Sequence, residues 1–285
     1  ASHGLNSLAG NWAERKCRGP SHSIETTYCH AGAGWTISAI PAWRGWTTWK
    51  RLGLDTPKTL PEVLAELCAS DAPLGERLAA YAEKLTEIGS PMGAEYGLLV
   101  ARLRSGEAGH GAPGIGELLP SFLLPDRHGH LVALKDVLAQ GPAVISFNRG
   151  HWCSFCRIEL TMLAATEPEI AVHGARIVSI MPDRQSFIRL LPQTITERIT
   201  ILSDPDNSYA MSVGLAIWVG EPLTALMRER NICLDEFQGN AAWMLPIPAT
   251  FVVARDGTVL ARYVDPDFRS RMEVDEIVQA LRDAT

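Results

Sequence analysis

Two cysteines two residues apart, Cys153 and Cys156, stand in the segment Arg149-Gly-His-Trp-Cys-Ser-Phe-Cys-Arg-Ile-Glu-Leu160. The apolar run Ala143-Val-Ile-Ser-Phe147 just before them reads as a strand buried on both faces. Ser154 to Val172 reads as a helix. The first cysteine therefore falls at a helix mouth and the second one turn further in, where their sulfurs can meet. A helix start offers unpaired N–H groups and the positive end of the helix dipole, and both favour a thiolate. Arg149, His151 and Arg157 add cationic side chains nearby, and Trp152 can wall the site against water. Such surroundings lower a cysteine pKa from about 8.5 to roughly 3.5–7.5. One thiol can then attack a substrate, and the other can resolve the product as a disulfide.

Two other readings compete for these residues. Cysteine is often simply a small buried hydrophobe. The pair could also be half of a zinc site, but a structural zinc takes four ligands and the chain has no second Cys-x-x-Cys. A Cys-x-x-Cys inside a strand–helix–strand pattern is the more specific signal, and it points to redox work with no metal or other cofactor. Cys17, His22, Cys29 and His30 are four ligand types, but their spacing matches no common finger. Cys68 falls on the apolar stripe of a helix and reads as core. Cys233 follows a charged helical segment and reads as a core or surface residue rather than a distant resolving thiol. His128 and His130 flank a turn and read as solvated.

The elements that must hold the pair follow from patterning. The chain has 285 residues, 46% of them hydrophobic, which is enough for one large domain or two. Its net charge is -6 and no basic stripe recurs, which argues against nucleic acid. No apolar run approaches the ~18 residues of a membrane span. Six cysteines in a chain of this length, with a single close pair, fit a reducing compartment such as the cytoplasm. Residues 1–56 form an irregular arm holding Trp12, Trp35, Trp43, Trp46 and Trp49. Residues 57–111 are a helical appendage and linker. Thr59-Leu-Pro-Glu62 is a capping box that opens the first helix, and further helices are expected over 74–87 and 94–103. Glycines from Gly106 to Gly116 mark the linker.

Residues 112–285 then alternate strands and helices. Strands are expected at 121–124, 143–147, 175–180 and 199–202, followed by a hairpin of 250–254 and 259–263 about Asp256-Gly257. An amphipathic helix over 273–282 closes the chain. The pattern is an α/β sheet with helices on its faces.

Residues 112 to 284 resemble the peroxiredoxin-like AhpC/TSA proteins of the thioredoxin superfamily. The resemblance rests on Leu118-Leu-Pro-Ser-Phe-Leu-Leu-Pro-Asp126, Phe147-Asn-Arg-Gly150, Trp152-Cys-Ser-Phe-Cys-Arg-Ile-Glu-Leu160, Leu202-Ser-Asp-Pro205 and Pro248-Ala-Thr-Phe-Val-Val-Ala-Arg-Asp-Gly257. It implies a thioredoxin-like fold with the cysteines at the start of its second helix. The peroxiredoxin motif Pro-x-x-x-Thr-x-x-Cys ends on Cys156, and Glu159 matches its acidic residue three positions further on. Arg149 stands in place of the proline, and Cys153 in place of the threonine. The family's thiolate-supporting arginine would fall at Pro248, which instead resembles the cis-proline of thioredoxins.

Two chemistries follow from the resemblance. In a peroxidase Cys156 attacks a peroxide and Cys153 resolves the sulfenic acid, with Arg149 and His151 replacing the missing charge. In a thiol–disulfide oxidoreductase Cys153 attacks a disulfide and Cys156 releases it. The peroxidase reading is preferred, with a thioredoxin-like or other thiol reductant as partner. A non-catalytic redox sensor is the third class. The apolar stripes of the appendage need cover, from their own domain or from a second copy of the chain in a homodimer.

Overall fold

The computed structural model describes residues 59–284. The Trp-rich arm, with Cys17, His22, Cys29 and His30, lies outside the described residues. Three helices lead: α1 (Leu60–Ala69), α2 (Leu74–Glu87) and α3 (Pro91–Ser105). The expected capping box is formed. Thr59 Oγ1 accepts from the Glu62 N–H, and Glu62 accepts from the Thr59 N–H at 2.8 Å. Helix α3 starts three residues before the sequence expectation, because Pro91 takes a first-turn position.

A small hairpin follows, β1 (Leu123–Pro125) with β2 (Leu131–Ala133). Next come β3 (Ala143–Phe147), α4 (Ser154–Val172), β4 (Arg176–Met181) and β5 (Thr200–Ser203). The insert beyond Gly214 forms a second antiparallel pair, β6 (Ala216–Trp218) with β7 (Met244–Pro246). Two short helices, 223–229 and 234–238, lie between them. The chain ends with β8 (Ala249–Val253), β9 (Val259–Val264) and α5 (Val274–Asp283).

The central sheet runs β5-β4-β3-β8-β9. β3, β4 and β5 are mutually parallel, while β8 and β9 run antiparallel to their neighbours. This is the thioredoxin-like arrangement the sequence led us to expect. Alternation along β3 builds both sides of it. Ala143, Ile145 and Phe147 enter one core with Phe251 and Tyr209, and Val144 enters the other beneath α4 and α5. All five β3 residues are buried. Each large apolar side chain fully removed from water there contributes about 1.5–3 kcal/mol.

A third apolar cluster joins the leader helices to the cysteine motif. It holds Leu67, Leu78, Tyr81, Tyr96 and Leu99 together with Cys153, Phe155, Cys156 and Phe268. The leader thus covers its own domain. The glycine-rich segment after α3 is not a loose linker. Ala112 is buried, and a Cβ at Gly109 would meet Val264 at 2.8 Å, so close packing is what Gly109 serves. Among the described residues no helix is long and apolar enough to cross a membrane.

Candidate active site

Cys153 is the N-cap of α4, and Cys156 lies in its first turn. Both carry free thiols, 3% and 0% exposed. The strand β3 ends at Phe147, and the turn 148–152 delivers the pair to the mouth of α4. Gly150 makes that turn possible with φ +136. A Cβ there would stand 2.6 Å from Trp152 Nε1 and 3.0 Å from both Asp183 carboxylate oxygens.

The Cys156 sulfur accepts from the Arg149 N–H at 3.4 Å and from Arg271 Nη2 at 3.6 Å. Arg271 also donates to Glu159 Oε2 at 2.7 Å, and Glu159 Oε1 accepts from the Ser146 hydroxyl at 3.0 Å. Burial opposes the charge on Arg271, but Glu159 and the two thiols outweigh it and hold the guanidinium protonated. The Arg149 side chain enters an aromatic cage. Its guanidinium lies 3.9 Å from the Phe268 ring centre, 5.1 Å from Trp152 and 5.3 Å from Tyr96. Its Nη2 has no hydrogen-bond partner among the described residues, and neither has Trp152 Nε1.

The two thiols titrate as a pair. Burial works against a charge on Cys153. The hydrogen bond from Cys156 and the positive charges of Arg149 and Arg271 outweigh it, bringing Cys153 down to about 6. Burial pushes Cys156 up, and the neighbouring Cys153 pushes it further. The resting pair therefore holds a thiolate at Cys153 and a thiol at Cys156. This opposes the order of attack that the motif alignment implies, although the Arg149 N–H and Arg271 sit on Cys156.

His151 serves the turn through its neighbour. Its N–H donates to Asp183 Oδ2 at 2.6 Å, and its Nδ1 lies 2.8 Å from the same oxygen. The ring stacks on Phe187 and meets Phe237 edge-on. Pro248 does not join the site as a cis residue. It links β7 to β8, both extended, through a trans bond, and the cis peptide among the described residues is Glu221–Pro222. Cys233 is buried at the start of helix 234–238 and is disulfide-bonded, so it offers no free resolving thiol. Cys68 is half-buried and accepts from the Thr161 hydroxyl at 3.7 Å. His130 remains on the surface beside Asp126.

Arg271, Asp183, Tyr81, Tyr96 and Phe268 were not foreseen from sequence. Asp183 lies just past the end of β4, next to the end of β3, the place where α/β sheets gather their sites. That rule could have found it. No spacing signal marks Arg271, which comes from the loop before α5.

The AhpC/TSA family model matches residues 115–262, just over half of the chain. This chain belongs to the AhpC/TSA family. The match places it among thiol-dependent oxidoreductases and spans the whole cysteine motif. The leader helices and Arg271 lie outside the AhpC/TSA match. Curated relatives are the thiol-disulfide oxidoreductases ResA of Bacillus thuringiensis and Bacillus anthracis, each 20% identical over 159 residues, which is 56% of this chain and 75% of the relative. Among solved structures, peroxidoxin BcpB from Mycobacterium tuberculosis is 21% identical, with a TM-score of 0.47 over 60% of this chain and 97% of that one. A cysteine-to-serine variant of peroxiredoxin 6 from Arenicola marina is 14% identical, with a TM-score of 0.49 over 60% and 73%.

Proposed function

We propose that this AhpC/TSA protein reduces small peroxides with its Cys153–Cys156 pair, which a thioredoxin-like or other thiol then restores. The observation that carries this reading is an enclosed dithiol in the field of two guanidiniums. Cys153 feels Arg149, Cys156 touches Arg271, and neither thiol is more than 3% exposed. Such a site suits a small oxidant better than a protein disulfide.

The Cys153 thiolate attacks one peroxide oxygen. The S–O bond forms, the O–O bond breaks, and the departing oxygen leaves as alcohol or water after taking a proton. Cys153 is then a sulfenic acid. The Cys156 sulfur attacks it, an S–S bond forms, and the hydroxyl departs with the Cys156 proton as water. A dithiol reductant then reopens the disulfide by exchange and is itself oxidised. The guanidiniums stabilise charge on sulfur and on the departing oxygen.

A second reading is thiol–disulfide exchange, favoured by the lowered Cys153 thiol at the helix mouth and by the printed names of the ResA relatives. Stopped-flow mixing of reduced protein with hydrogen peroxide separates the two. The native chain, Cys153→Ser and Cys156→Ser are followed by tryptophan fluorescence, with trapping and mass spectrometry of the sulfenic acid. Fast oxidation that persists in Cys156→Ser, with the sulfenic acid on Cys153, is expected. Persistence only in Cys153→Ser would move the attack to Cys156. Reaction of every form at the rate of an ordinary thiol would overturn the peroxidase and leave disulfide exchange.

A further inference from the structure

We infer that the leader helices set the specificity of this reaction, with Tyr81 and Tyr96 restricting the thiol pair to small oxidants. This rests on the peroxidase reading for the oxidant's identity, while the cover itself stands on geometry. Tyr81 reaches from α2 to the residue between the cysteines, its hydroxyl donating to Ser154 Oγ at 2.9 Å. Its ring meets Phe155 edge-on at 5.2 Å. Tyr96 reaches from α3 to Phe268 at 4.7 Å and lies against the Arg149 guanidinium. These rings and both thiols belong to one buried cluster.

The cover is fastened around its rim. The Leu74 and Gly75 N–H groups at the start of α2 donate to Glu273 at 3.1 and 2.7 Å. Arg102 near the end of α3 donates to the carbonyls of Trp218 and Val219, and Arg104 pairs with Asp265 at 3.2 Å. A cavity of about 270 Å³ lies between α2 and α3, but it ends on the rings of Tyr96 and Phe155, and neither cysteine lines it. A bulky oxidant must therefore lift the leader, whereas a small peroxide has only to slip past two rings.

The test is a ratio of rates on the full reduced chain. Oxidation of Cys153 by hydrogen peroxide is compared with its reaction with the aryl disulfide DTNB, read by peptide mass spectrometry so that Cys68 does not contribute. Tyr81→Ala and Tyr96→Ala, checked for folding by near-ultraviolet circular dichroism, should raise the DTNB-to-peroxide ratio at least about tenfold by easing local opening. Tyr81→Phe, which keeps the ring, should raise it less. An unchanged ratio in folded alanine variants overturns the inference. Where an alanine variant fails to fold, a size series on the native chain decides, from hydrogen peroxide through tert-butyl to cumene hydroperoxide. A steep fall supports the cover and a flat series overturns it. Slow native reaction with hydrogen peroxide defeats the peroxidase reading alone, because the DTNB rates of native and variant chains still judge the cover.

Discussion

Arg271→Met should cost about 3–5 kcal/mol of folding free energy, because it strands a buried carboxylate. The Arg271 and Glu159 side chains are 1% and 2% exposed and meet at 2.7 Å. Arg271 also donates to the carbonyls of Phe268 and Ser270. Methionine fills much of the same space but donates nothing. Glu159 then keeps the Ser146 hydroxyl on one oxygen and loses the partner of the other. For a chain of this size each kcal/mol lowers Tm by roughly 2–4 °C, so a fall of about 6–20 °C is expected. Adding Glu159→Leu removes the stranded charge and should recover a large part of the loss, since an apolar replacement of a buried pair is often neutral. Urea unfolding of the native, single and double variants, followed by tryptophan fluorescence under reducing conditions, gives the coupling energy. A coupling of at least about 2 kcal/mol is expected. Additivity within about 0.5 kcal/mol would refute the reasoning, because neighbours that share one buried charge cannot act independently.

Three further outcomes are expected. Alkylation of Cys153 by iodoacetamide should rise with pH to a midpoint near 6, and Arg149→Gln should move that midpoint upward. Since the folded thiol lies below its ordinary value, its stabilising contribution is present above about pH 8.5 and is lost as pH falls through about 6. A midpoint at the ordinary thiol value contradicts this. Gly150→Ala must place a Cβ 2.6 Å from Trp152 Nε1 at φ +136, so a cost of about 2–5 kcal/mol is expected from strain and overpacking together. A thermal melt showing less than about 1 kcal/mol would contradict it. Glu273→Ala frees the Leu74 and Gly75 N–H groups and should cost about 0.5–2 kcal/mol, visible as faster hydrogen exchange in the first turn of α2. Unchanged exchange there would show that Glu273 is not the cap.

The central sheet was legible because its strands carry their own signals. The run from Ala143 to Phe147 is apolar throughout, and Asp256-Gly257 marks the hairpin. The helix after Cys153 was legible for the same reason, since its boundaries follow from the strand before it and Gly174 after it. The insert was not. Its strands are three residues long and pair across a gap that no periodicity spans. Within the site, the cysteines and Arg149 declared themselves by proximity in sequence. Arg271 did not, being 115 positions from the sulfur it touches, and Tyr81 bonds to a serine 73 positions away. Contacts of that separation arise from tertiary packing and leave no local pattern to read. Pro248 shows the opposite case, a local likeness to a cis-proline at a bond that is trans.

Glu273 ties the start of α2 to a residue 198 positions later in the chain, and Arg271 lies beside it. During synthesis both leave the ribosome well after the leader and the thiol motif have emerged. Closing so long a loop is slow, and it waits on the segment after β9. Until then the cysteine pair has neither its cover nor its arginine. A nascent chain would thus meet oxidants and foreign thiols with its dithiol open, and it becomes selective only once the segment of Arg271 and Glu273 has docked.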